Sequence, residues 1–268
     1  MQYNTLFTNA RLWIRAGNRL LGGYSANALR SYVFPHYTPG GVLVLQEAPV
    51  DHPHQQGIHV GLSVNNHDLW NAGSFDKARH MQRMETPLKE ITPVIDEQGV
   101  TLFHSVQWTS VDGAVLLHED RSVRFRLAES FTHVHWRSHF HTVDRPARID
   151  QTKEAGVGVR VPPHWESYFG GQIRNATGGV GESACFDSDS PWLNVQGSAG
   201  NGATAGVVMV TTSAPCPWFT RDYGEHIYNP SRHAAVDLAP GESVTWAVDV
   251  LAYDGERTVD EIARMVGG

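Results

Sequence analysis

The chain has 268 residues, 41% of them hydrophobic and 18% charged, and a formal net charge of −7. This composition excludes a disordered chain, and the charge balance lacks the basic footprint of a nucleic-acid binder. The length fits one large β domain spanning residues 1–268, which needs no staples to bury a core.

The N-terminal stretch Met1 to Trp13 has no basic segment followed by an apolar one, so it does not read as a signal peptide. The longest apolar runs, 42–45 and 205–210, are far shorter than the roughly 20 residues a bilayer-spanning helix requires. A cytoplasmic protein without membrane contact is the expectation. Cys185 and Cys216 can pair but make no disulfide framework.

In chain order, strands are expected at 32–34, 42–46 and 57–64, separated by Pro39-Gly40-Gly41 and followed by Asn65-Asn66. Segments 101–110 and 114–127 flank Val111-Asp112-Gly113, a hairpin signal because glycine accepts positive φ without steric cost. Segment 131–143 alternates. Val134, Trp136 and Phe140 fall on one face, and His133, His135, Arg137, His139 and His141 on the other. Further strands are expected at 157–160, 180–186 and 205–211, bounded by glycine clusters, and around Val244, Trp246, Val248 and Val250. Thr258 with Glu261 three residues on forms a capping box for a helix over 259–266. Many short strands and one short helix predict an all-β chain: an antiparallel two-sheet β-sandwich with a short C-terminal helix.

Three short motifs carry candidate chemistry. The first is Asp51-His52-Pro53-His54-Gln55-Gln56-Gly57. If this segment is extended, His52 and His54 share a face about 7 Å apart, which suits two ligands to one divalent metal or two proton-transfer groups. His59, His67 and His80 lie nearby in sequence. The plainer alternative is a polar loop whose imidazoles bond to backbone carbonyls. The second motif runs from Thr152 to Arg160. There Lys153 can hold an anionic intermediate, Glu154 can act as a base or ligand, and Arg160 can clamp a carboxylate; the alternative is an ion pair in a solvated turn. The third runs from Trp218 to His226. Arg221, Tyr223 and His226 mix aromatic, cationic and imidazole groups as sugar sites do, unless Arg221 and Asp222 simply pair at an aromatic edge.

The histidine stripe is too long for one ion, since His133 to His141 spans about 26 Å; at most one or two of its members are expected in any site. Glu119 is expected at a solvated strand position. Trp70, Trp165 and Trp192 are the tryptophans placed for ligand stacking. No phosphate-binding loop, dinucleotide fingerprint, serine-hydrolase elbow or zinc-protease helix is present, so no nucleotide cofactor is expected.

In order, Tyr32 to Gly41, Asp51-His-Pro-His54 with Gly57, Asn66-His-Asp-Leu-Trp70, Thr152-Lys-Glu154 with Arg160, Pro191-Trp192, and Arg221-Asp-Tyr-Gly224 with Asn229-Pro230 resemble the DUF6807 family over nearly the whole chain. Members are often labelled PmoA-like, or "methane oxygenase PmoA", after an integral membrane subunit. With no spanning segment in this chain, methane oxidation is rejected. The resemblance implies a β-sandwich linked to carbohydrate catabolism. Relatives usually carry histidine where this chain has Gln55, so His52, His54 and His80 are the positions it carries over.

The resulting expectation is a carbohydrate-active enzyme, a lyase or hydrolase cleaving a glycoside or keto-sugar by acid/base catalysis, with or without a divalent metal on His52 and His54. His52, His54, Lys153 and Glu154 are the catalytic candidates. His80, Arg160, Arg221, Tyr223 and His226 are the substrate-binding candidates. The alternative is a non-catalytic carbohydrate-binding or accessory sandwich.

Overall fold

Alternation between apolar and polar residues decides which face of each strand is buried. In Phe131–His141 every second residue from Thr132 to Phe140 is buried and the residues between are half-buried. The computed structural model describes residues 2–71, 81–213 and 216–267. Among them the strands form three antiparallel sheets.

The first sheet runs, in spatial order, through Tyr3–Thr8, Arg11–Ala16, Arg19–Ala26, Ser31–His36, Ile58–Gly61, Gly156–Arg160, Glu225–Tyr228 and Trp218–Thr220. The second runs through Gln172–Asn175, Trp192–Gly200, Ala203–Thr211, Ser243–Asp254, Phe131–His141, Val115–Leu127, Gly99–Thr109 and Met81–Met84, with Val94–Asp96 added beside Gly99–Thr109. A small third sheet joins Val236–Leu238, Ala147–Ile149, Ser63–Val64 and His67–Asp68. The expected sandwich is present, with this small sheet in addition to the two large ones.

One core lies between the large sheets. Ile14, Tyr24, Val33, Val60 and Val157 of the first sheet share it with Val106, Val123, Phe125, Trp136 and Val250 of the second. Fully burying side chains of this size contributes roughly 1.5–3 kcal/mol each. The core also holds a polar bridge. Tyr24 Oη lies 2.7 Å from His104 Nε2, and the Tyr24 and Trp136 rings are 6.3 Å apart.

Glu119 corrects an expectation. It is fully buried, not solvated. Leu117, Glu119, Arg121, Val123 and Phe125 alternate on one strand, so the period that buries Phe125 also buries Glu119. The position is tolerable because the carboxylate accepts hydrogen bonds from Trp108 Nε1, Arg121 Nε and Nη2, and Ser138 Oγ at 2.6–2.9 Å.

Other elements differ locally. Residues 42–46 form no strand beyond a single bridge from Tyr37 to Leu43. Residues 180–186 contain a one-turn helix, Glu182–Cys185, because Gly181 at φ 78° breaks the extended chain. The three N-terminal strands, Tyr3–Thr8, Arg11–Ala16 and Arg19–Ala26, are not among the expected ones, although Leu12, Ile14 and Ala16 alternate inward along the second of them. The C-terminal helix, Val259–Gly267, forms with the expected capping box: Thr258 N donates to Glu261 Oε2 at 2.8 Å, and Glu261 N to Thr258 Oγ1 at 3.3 Å. It seats Ile262 against Trp192, Val208, Leu251 and Tyr253 on the outer face of the second sheet. Cys185 and Cys216 are buried and free.

Candidate active site

The outer face of the first sheet, opposite the shared core, gathers the candidate chemistry. Gly158 pairs with His59 on one side and Ile227 on the other, and Arg160 pairs with Glu225. His59, Arg160 and Glu225 therefore project from the same face. A Cβ on Gly158 would lie 2.5 Å from Glu225 Oε1 and 2.9 Å from His59 Cε1, so the missing side chain is what lets both groups lie over the strand. Gly61 does the same for Trp70, whose ring covers it.

Three loops close over this face. Residues 51–57 turn rather than extend: Gln55 N donates to His52 O at 2.9 Å around Pro53, which presets the backbone for a turn. Arg30 ties this loop to the backbone at Trp70, donating to His54 O at 2.9 Å and to Trp70 O at 2.8 Å. The turn carrying Lys153 is held by Asn229 Nδ2, which donates to Thr152 O and Lys153 O at 3.2 and 3.1 Å. The third loop reverses at Gly224, φ 92°, with Gly224 N donating to Arg221 O at 2.9 Å.

His52 stands half-buried at the edge. Its Nδ1 donates to Asp51 Oδ2 at 2.7 Å, and its ring stacks on Tyr223 with centroids 4.8 Å apart. In a neutral ring this contact leaves Nε2 as a lone-pair acceptor. Burial works against the Asp51 charge, but the His52 hydrogen bond and Arg160 outweigh it and hold the carboxyl below its ordinary value. His54 is buried, its ring 5.8 Å from that of His52 and 6.0 Å from that of Trp70. Burial first, then the charges of Arg30 and His52, lower its pKa to about 4, so it is neutral near pH 7.

Beneath them lies Glu225, fully buried, with Oε1 3.6 Å from His59 Nε2. Burial raises the Glu225 pKa well above the ordinary value; Arg160 opposes this and Glu154 adds to it. Burial, then Arg30 and His54, lower that of His59 well below its ordinary value. Burial thus favours the uncharged form of both members of the pair. Both nitrogens of His54 and of His59, both carboxyl oxygens of Glu225, Gln55 Nε2 and Trp70 Nε1 are buried without a hydrogen-bond partner among the described residues. So many unsatisfied buried groups in one place are uncommon and call for water or ligand.

Arg160 is not free to clamp a ligand. It is buried, donates to Gln55 Oε1 at 2.6 Å, and has Asp51 and Glu166 within 3.6 and 3.5 Å. It lies 5.2 Å from the Tyr223 ring centroid. Its contacts with Gln55 and Asp51 hold it against the loop that carries His52 and His54. Arg221 pairs with Glu182 at 2.7 Å, not with Asp222, and backs Tyr223 at 5.8 Å. Burial, then Glu154 and Glu225, push the Tyr223 hydroxyl up to about 12. Lys153 is exposed, with Nζ 3.7 Å from Glu154 Oε1 and 5.6 Å from the Phe219 ring centroid.

His226 points the other way. It pairs with Val159, a core residue, and its Nδ1 lies 2.6 Å from Thr220 Oγ1. His80 lies outside the described residues. Glu225, and His59 beyond its nearness in sequence to the first motif, are site members outside the candidate set; the two-residue period that puts Glu225 and Ile227 on one face was the available signal. Trp165 is buried in the core between the large sheets and Trp192 in the cluster under the C-terminal helix, whereas Trp70, buried with Phe219 and Ile227, adjoins the site. Among the described residues, the three histidine, cysteine or carboxylate donors lying within 4.8 Å of one another are His133, His135 and Asp249, and no such group of described residues includes His52 or His54.

Residues 13–266 match the family described as "Family of unknown function (DUF6807)". The chain belongs to that family. No curated protein matches the sequence. Among solved structures it is similar to galactose 1-epimerase from Lactobacillus acidophilus NCFM, at 9% identity and a TM-score of 0.45, covering 95% of this chain and 98% of that one. It is also similar to heparan sulfate lyase HepC from Pedobacter heparinus, at 10% identity and a TM-score of 0.41, covering 92% of this chain but 34% of that one. Likeness at this level bears on neither substrate nor chemistry. No helix among the described residues is long and apolar enough to cross a membrane.

Proposed function

We propose that this member of the DUF6807 family is a carbohydrate-active enzyme that cleaves a glycoside or keto-sugar by acid/base chemistry at the outer face of the first sheet. The observation that carries the reading is the set of buried, unpartnered donors and acceptors beside the Asp51–His52 pair. Sugar hydroxyls both donate and accept. They satisfy Gln55 Nε2 and Trp70 Nε1 as readily as the nitrogens of His54 and His59. The Tyr223–His52 stack offers an aromatic surface to a sugar ring.

In a keto-sugar the carbonyl acidifies the neighbouring C–H. His52 Nε2 removes that proton, with Asp51 holding the ring and stabilising the imidazolium. The Lys153 ammonium offsets charge on the enolate oxygen. As the enolate re-forms the carbonyl, a new C=C bond forms and the glycosidic C–O bond breaks. The departing oxygen takes a proton from the neutral Glu225–His59 pair. Hydrolysis with water as nucleophile would use the same base and acid.

The test is incubation with a panel of glycosides and their 3-keto derivatives, with product detection, for wild type and His52→Ala. Cleavage by wild type, reduced about 10²–10⁴-fold in a folded His52→Ala protein, is expected. Saturable sugar binding with no product from any substrate would replace the enzyme with a binding protein. No binding at all would remove the carbohydrate reading.

A further inference from the structure

The histidine stripe on the outer face of the second sheet takes no part in the chemistry above, and two of its members meet a carboxylate. His133 and His135 are two residues apart on Phe131–His141 and point the same way. The neighbouring strand, Ser243–Asp254, places Asp249 directly opposite His135. His133 Nε2 lies 2.6 Å, and His135 Nδ1 2.7 Å, from the same oxygen, Asp249 Oδ1. The side chains are 15%, 32% and 23% exposed, so the cluster is seated in the sheet and open on one side. The rest of the stripe turns elsewhere: His139 Nδ1 lies 2.9 Å from Thr245 Oγ1, and His141 Nε2 3.5 Å from Asp120 Oδ2.

We propose that His133, His135 and Asp249 form a binding site for a divalent transition metal of the zinc class. Two imidazoles and one carboxylate favour zinc, cobalt, nickel or copper over magnesium and calcium, which prefer all-oxygen shells. The ligands stand on paired strands in the middle of a sheet, so their positions are set before any ion arrives. Without metal, ring N–H groups aimed at Asp249 Oδ1 take the ion's place. On binding, each ring carries its proton on its other nitrogen and turns a lone pair inward, and the three ligand atoms spread slightly to about 2.0–2.2 Å from the ion. Three protein ligands on a solvent-facing surface leave a fourth position for water or an exchangeable group, as in open rather than closed zinc sites. The site lies on the second sheet, whereas the loop carrying His52 and His54 closes over the first, and it does not depend on the proposed sugar chemistry.

The experiment is calorimetric titration of the full-length protein with zinc sulfate alone, for wild type, Asp249→Asn, His135→Ala and His52→Ala. Wild type and His52→Ala should each take up about one zinc at the same affinity and gain in Tm on its addition. Asp249→Asn and His135→Ala should weaken binding by more than the roughly 10–100-fold typical of outer-shell changes, and lose the Tm gain. Should His135→Ala fail to fold, Asp249→Asn decides, because it preserves shape and strand pairing. The proposal is overturned by wild-type affinity in Asp249→Asn, by loss of binding in His52→Ala, or by no zinc uptake in wild type.

Discussion

Glu119 and Glu225 are both fully buried carboxyls on strands of large sheets, and they stand in opposite circumstances. Glu119, between the sheets, accepts hydrogen bonds from Trp108, Arg121 and Ser138. Glu225, on the outer face of the first sheet, has no partner within hydrogen-bonding distance among the described residues, and its nearest basic group is His59 at 3.6 Å. Burial alone therefore says little about role; satisfaction of the buried group separates the two. A satisfied network holds two sheets in one arrangement. An unsatisfied one keeps a carboxyl protonated and imidazoles neutral, at a cost in stability that folding elsewhere must cover.

Breaking the satisfied cluster should have the largest effect. Glu119→Ala leaves Arg121 as a buried charge without its carboxylate and should lower the unfolding free energy by about 3–5 kcal/mol, read from urea denaturation. A loss below about 1 kcal/mol would mean the inter-sheet network does not hold the fold as described.

The next effect is a dependence on pH. The folded His54 pKa of about 4 lies below 6.5, so between those values the unfolded chain binds more protons. The stability contributed by the neutral ring is present above 6.5 and lost as pH falls toward 4. At about 1.4 kcal/mol per unit of pH, this contribution is about 3 kcal/mol. His54→Gln should flatten the acid limb of a stability–pH curve by that amount, and an unchanged slope would place His54 in contact with solvent.

Gly158→Ala tests the platform beneath the site. Its methyl group would collide with Glu225 and His59, so a loss of about 1–3 kcal/mol is expected, together with a fall in turnover larger than the change in Tm explains. The smallest stability effect belongs to Glu225→Gln. Burial holds the carboxyl pKa well above its ordinary value and the group makes no hydrogen bond among the described residues, so where the carboxyl is neutral the amide should change stability by less than about 1 kcal/mol. Above the ordinary carboxylate pKa the unfolded chain releases a proton that the folded chain keeps. Wild type should therefore fall behind the variant as pH rises. Turnover, in contrast, should drop sharply.

The amino-acid order by itself determined the all-β class, the Asp112-Gly113 hairpin, the alternating strand at 131–141 and the capped terminal helix, because each rests on local stereochemistry or on a period of two. It also marked the 51–57, 152–160 and 218–226 segments as chemically dense. Only the tertiary structure decided which of their side chains meet. His226 and Glu225 are sequence neighbours, yet strand alternation sends one into the core and the other to the outer face. Arg221 chose Glu182 over the adjacent Asp222, and Arg160 is spent on Gln55, Asp51 and Glu166. His135 and Asp249 lie far apart in the chain and become neighbours only through strand register. Burial, pKa and hydrogen-bond satisfaction depend on what surrounds a group in three dimensions, and a one-dimensional pattern does not contain those surroundings.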